Sequence, residues 1–116
     1  MYESQTNQMM TGLGIGHRFS GYTAVFDAVQ LVIENEDRLL NFSAQILPLL
    51  SARYGRKACN IHRNIRTICS HAWQTNPEYL SDIAGYTLNG PPSVIEFIDI
   101  LSTSIIRSQS EKDQTR

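Results

Sequence analysis

Apolar residues along this chain recur at three- and four-residue steps, and glycine or proline punctuates the pattern before any run grows long. Tyr22, Val25, Phe26, Val29, Val32 and Ile33 form one such stripe. Ala58, Ile61, Ile65, Ile68 and Ala72 form a second, and Val94, Phe97, Ile98, Leu101 and Ile105 a third. A helix brings side chains back to one face every 3.6 residues or so, whereas a half-buried strand needs strict alternation, which has no convincing home here. The fold class expected is therefore all-α, a compact six-helix domain containing a helix-turn-helix.

Turn and capping chemistry sets the expected boundaries. The opening residues give a first helix, closed by Gly12-Leu13-Gly14-Ile15-Gly16. Ser20 is the expected cap of a second helix, which frays in Glu34-Asn35-Glu36-Asp37. Ser43 is the expected cap of a third, reaching Tyr54, with Pro48 kinking it or shortening its start. Gly55-Arg56-Lys57 breaks the chain before a long fourth helix over residues 58–73. Asn76-Pro77 opens a short fifth helix that stops at Gly85, and after Gly90-Pro91-Pro92 a sixth is capped by Ser93. At 116 residues the chain suits one domain, 1–116, with flexible tails expected at about 1–8 and 108–116.

Several function classes fall away on composition and spacing. With 41% hydrophobic and 18% charged residues there is enough apolar material for a core, but no run approaches the roughly 20 apolar residues of a membrane span. The first eight residues carry neither a basic nor an apolar signal region, so a cytoplasmic location is expected. Cys59 and Cys69 stand ten residues apart on one helix, about 15 Å, too far to pair. Without a CxxC or clustered histidines, no metal or other cofactor is expected. The glycines at 12, 14 and 16 do not make a dinucleotide site, because no strand precedes them and the third is misplaced. His62 and His71 have no nucleophile or carboxylate at a triad-like spacing, so no catalytic residue and no enzyme is expected. Trp73 reads as a core anchor rather than a base-stacking residue.

Net charge is only −1, yet its distribution is uneven. From Ser43 to Pro77 there is no Asp or Glu, while Arg53, Arg56, Lys57, Arg63 and Arg66 give that stretch +5, leaving −6 for the remainder. An ordinary solvated helix face mixes signs, so this stretch is a candidate footprint for phosphates. On a helical wheel, Ala58, Ile61, Ile65, Ile68, Cys69 and Ala72 share one third of the circle and face a core. The opposite arc collects Cys59, Asn60, Arg63, Arg66, Thr67 and Ser70. Arg can donate two hydrogen bonds to guanine O6 and N7, Asn can pair with adenine, and Thr can touch a thymine methyl. Arg53, Arg56 and Lys57, at the end of the preceding helix and in the turn, stand where phosphates would be held.

Tyr54-Gly55-Arg56-Lys57-Ala58-Cys59-Asn60-Ile61-His62-Arg63-Asn64-Ile65-Arg66, followed by Ala72-Trp73, resembles the C-terminal DNA-binding domains of the stage zero sporulation protein A family, the sporulation initiation response regulators of endospore-forming bacteria. The similarity extends to Leu13-Gly14-Ile15, Gly21-Tyr22, Leu47-Pro48, Gly85-Tyr86-Thr87 and Glu96-Phe97-Ile98. It implies a six-helix fold with residues 43–54 as supporting helix and 58–73 as recognition helix. Arg63 and Arg66 match DNA-contacting positions of the family, whereas positions that hold Ser, Arg, Glu and His there carry Cys59, Asn60, His62 and Thr67 here. Each changed base contact shifts discrimination by about 1–3 kcal/mol, enough to retarget the operator.

The expected function is sequence-specific transcription regulation on double-stranded DNA. Base contacts are assigned to Cys59, Asn60, His62, Arg63, Arg66 and Thr67, and phosphate contacts to Arg53, Arg56, Lys57 and Ser70. The resemblance further implies tandem or homodimer pairing on adjacent sites, with the last helix in such contacts; the RNA polymerase sigma subunit is a further candidate partner. The family's regulator carries a phosphorylatable receiver before this domain, for which 116 residues leave no room. The chain is thus either an excised domain or a free-standing paralogue, and the starting methionine points to the latter. The alternative is a protein-interaction module of the same fold that titrates a full-length regulator or contacts polymerase without reading DNA.

Overall fold

The computed structural model describes residues 2–114, with side chains described over 4–108. Among the described residues there are seven α-helices, one 3-10 helix and no strand. They are α1 (Tyr2–Gly12), α2 (Tyr22–Glu34), the 3-10 helix (Glu36–Asn41), α3 (Phe42–Gln45), α4 (Leu47–Tyr54), α5 (Ala58–Thr75), α6 (Pro77–Ala84) and α7 (Val94–Gln114). The all-α expectation holds, but the count of six does not.

The extra helix comes from Pro48. A single helix over 43–54 was expected, and instead the chain breaks at Ile46 into α3 and α4, with Pro48 in the first turn of α4. Proline has no N–H to give the Ala44 carbonyl and its ring crowds that carbonyl, so the ladder restarts one residue earlier. Ile46 N still donates to the Phe42 carbonyl at 2.9 Å, and Leu50 N donates to the Ile46 carbonyl at 3.1 Å. Ser43 consequently lies inside α3, whose N-cap is Asn41. Where fraying was expected, the chain tightens into the 3-10 helix. Asn35 Oδ1 accepts from Asp37 N at 3.1 Å, and Arg38 donates to the Leu31 carbonyl at 2.9 Å, satisfying the open end of α2.

At the chain's start, Thr6, Met9 and Met10 are buried in α1, so the expected tail over residues 1–8 is helical from Tyr2. At the other end α7 continues past Ser108 to Gln114. Residues 1, 115 and 116 of the expected tails lie outside the described residues.

The core sits around α2, which packs against α1, α5 and α7. Ala24, Val25, Ala28, Val29, Leu31 and Val32 of α2 are all buried and share one side of the helix. α7 contributes Phe97, Ile98, Leu101 and Ile105 to the same core, and the loop after α1 contributes Leu13 and Ile15. Each fully buried side chain of this kind contributes about 1.5–3 kcal/mol.

One glycine decides where α5 lies. A Cβ on Gly21 would stand 2.7 Å from the Asn64 carbonyl oxygen and 2.8 Å from Ile68 Cδ1, so the start of α2 accepts the backbone of α5 only because no side chain is present. Gly21 is also the N-cap of α2, and Ser20, the expected cap, makes no capping bond. The expected cap at Ser93 is in place, its Oγ accepting from Glu96 N at 3.1 Å, and Asn76, expected to open α6, caps it, its Oδ1 accepting from Tyr79 N at 3.2 Å.

Candidate nucleic-acid interface

Helices α4 and α5 are joined by residues 55–57. Gly55 takes φ +65°, the left-handed conformation that ends α4, and its N–H donates to the Ser51 carbonyl at 2.9 Å. Arg56 N donates to the same carbonyl at 3.3 Å, and the Ser51 hydroxyl donates in return to the Arg56 carbonyl. Ser51 thus ties the turn from both sides. Sequence reasoning missed it, although a serine four residues before a helix-ending glycine is a signal that could have found it.

Lys57 is the N-cap of α5 in an extended conformation and supplies no side-chain cap. The first turn of α5 holds no acid, so the positive end of the helix dipole faces Arg56 and Lys57 without a local counter-charge. An open concavity there is lined by Arg56, Lys57, Cys59, Asn60 and Arg63. Farther along, His62, Arg66 and Ser70 line a second open groove, walled opposite by residues 91–95.

The wheel reading of α5 agrees with the packing. Ile61, Ile65, Ile68, Cys69 and Ala72 are buried and Ala58 is half-buried, while Cys59, Asn60, Arg63, Arg66, Thr67 and Ser70 are exposed on the other side. His62 is half-buried at the border. Thr67 Oγ1 donates to the Arg63 carbonyl at 3.2 Å, so its hydroxyl proton is spent on its own helix and its methyl is what it has to offer outward. Cys59 Sγ stands 3.9 Å from Asn60 Oδ1, a weak contact.

Charge neutralisation is confined to one edge. Arg53 Nη1 lies 3.3 Å from Asp27 Oδ2, and the other ion pair among the described residues, Arg38 with Glu34, is away from this surface. Arg56, Lys57, Arg63 and Arg66 are exposed and make no ion pair among the described residues. Arg53 therefore differs from the other cations grouped with it on sequence. The Tyr54 hydroxyl also donates to Asp27. Burial, then the Asp27 hydrogen bond and charge, raise its pKa well above the usual phenol value, so it stays a donor.

The remaining candidates are structural. His71 Nε2 lies 3.2 Å from the Gly14 carbonyl oxygen and 3.2 Å from Thr75 Oγ1, which ties α5 to the loop after α1. Trp73 is half-buried against the core. Burial pushes the Cys69 thiol up to about 12, leaving it protonated and inert. Both cysteines are free. No group of His, Cys, Asp and Glu among the described residues could hold a metal ion, and no described helix is long and apolar enough to cross a membrane.

A family model described as sporulation initiation factor Spo0A C terminal matches residues 6–105, a span that contains the whole of α4, the turn and α5. No solved structure matches the chain.

Proposed function

We infer that this chain, which belongs to the Spo0A C-terminal family of DNA-binding effector domains, is a sequence-specific transcription regulator. In this reading α4, the 55–57 turn and α5 are a helix-turn-helix, with α5 entering the major groove. Arg63 and Arg66 donate to guanine O6 and N7, Asn60 pairs with adenine, and Thr67 turns its methyl toward a thymine methyl. Cys59 and His62 border those contacts, one in the first turn and one at the edge of the arc. Arg56 and Lys57 hold phosphates from the turn, and Ser70 does so from the far end of the face.

The observation that carries this reading is the exposed, carboxylate-free arc of α5, with Arg63 and Arg66 unpaired among the described residues. Fluorescence anisotropy with random duplexes tests it. Binding should weaken steeply with salt, each phosphate contact adding about 0.9 to the log-log slope. A chain that binds no duplex even at low salt is not a DNA-binding regulator. Family membership also supports two further partners, a second copy on an adjacent site and the polymerase sigma subunit. A duplex carrying two abutting sites, titrated against one carrying a single site, tests the first, and a pull-down with purified sigma subunit tests the second.

A further inference from the structure

Of the five cations in the acid-free stretch, Arg53 is the one with a carboxylate partner among the described residues. That partner, Asp27 on α2, has a side chain only 19% exposed against 52% for Arg53. The same oxygen, Oδ2, accepts the Tyr54 hydroxyl, which also lies 3.3 Å from the Thr23 carbonyl oxygen. One atom of α2 therefore holds the two consecutive residues that end α4, immediately before the turn. An ion pair between two free surface side chains is worth little, because both lose freedom on pairing. Here the acid is mostly buried and already oriented by Tyr54, so the arginine alone is ordered by the contact.

Building on the DNA-binding reading above, we propose that Asp27 is a positioning residue of the interface that holds Arg53 off the phosphate backbone. The cations that meet DNA are then Arg56, Lys57, Arg63 and Arg66. The reason is electrostatic. For Arg53 to neutralise a phosphate it must either abandon Asp27, leaving a mostly buried carboxylate unpaired, or carry that negative charge toward the DNA. A neutral pair displaces no counterion, so Arg53 adds nothing to the salt dependence while Asp27 is charged.

The Asp27→Asn variant keeps an oxygen acceptor for Tyr54 and removes the charge. Arg53 is then released, the log-log salt slope steepens by about 0.9, and roughly three times more affinity is lost over a fourfold rise in salt. Anisotropy of a labelled random duplex across a salt series, for the unaltered chain, R53A, D27N and D27N/R53A, reads this directly. The expected result is equal slopes for the unaltered chain and R53A, a steeper slope for D27N, and a return to the original slope in the double variant. General loosening of α4 would not produce a steepening that R53A abolishes.

R53A flattening the original slope by about 0.9 overturns the proposal, as does a folded D27N with an unchanged slope. Circular dichroism shows whether D27N folds, and if it does not, the R53A comparison decides alone. No binding by the unaltered chain at low salt overturns this proposal together with the DNA-binding reading. Binding that loses slope in R53A overturns this one only.

Discussion

On the inner side of α5, Ile61, Ile65, Ile68, Cys69 and Ala72 are enclosed by α2, α4, α6 and α7, while on the outer side Cys59, Asn60, Arg63, Arg66, Thr67 and Ser70 face solvent. The two sides are interleaved in sequence and never more than a few residues apart, yet different energies act on them. Inside, removal of apolar surface from water dominates and charge is excluded. Outside, the packing term is nearly absent, and Arg63 and Arg66, with Arg56 and Lys57 in the adjoining turn, none of them ion-paired among the described residues, raise the potential that an anionic partner would meet. Stability and the proposed recognition are thereby carried by separable sets of atoms on one rod, and a substitution should move one without the other.

The sharpest test of that separation is the double variant Arg63→Ala, Arg66→Ala. Two lost base contacts should cost about 2–6 kcal/mol in binding to a selected duplex, while urea unfolding shifts by no more than about 0.5 kcal/mol. Large destabilisation by this pair would show that the outer arc is also structural. The mirror experiment is Ile65→Ala, a fully buried side chain, which should lower unfolding free energy by about 2–5 kcal/mol. The fraction that stays folded should bind duplex with the original salt slope. Gly55→Ala comes next: a Cβ there meets no atom within 4 Å, so only the φ of +65° is at issue. A stability loss of about 1–2 kcal/mol is expected in the same unfolding assay. The smallest effect should be Thr67→Val, which keeps a methyl and deletes a hydroxyl engaged with the Arg63 carbonyl. Both unfolding and binding should change by less than about 0.5 kcal/mol, and a large binding loss would mean that the hydroxyl reads DNA itself.

Much of α5 was legible because one signal, the 3.6-residue period, sorts inner from outer residues without knowledge of the neighbours. Gly55, Gly85, Asn76 and Ser93 were legible for a similar reason: their local chemistry is sufficient to end or start a helix. Ser20 and Ser43 had the same local chemistry and do not cap. Gly21 takes the cap position of α2 while its missing side chain admits α5, a tertiary demand that no local pattern carries. Pro48 announced a disturbance but not its form, and a split at Ile46 is what the backbone geometry selected. The 3-10 segment has no fully buried residue and so no period to read. Asp27 was invisible as a partner of Arg53 and Tyr54, since their meeting depends on how α2 and α4 cross.

On the proposed DNA-binding reading, the contact between Gly21 and the Asn64 carbonyl bears on how preference for one base sequence changes into preference for another. Main chain rests there on main chain, so the tilt of α5 is inherited from its platform and is insensitive to which side chains project from its far surface. The exposed Cys59, Asn60 and Thr67 can each be exchanged without re-aiming the rod that bears them. A substitution at residue 21 would re-aim all of them together.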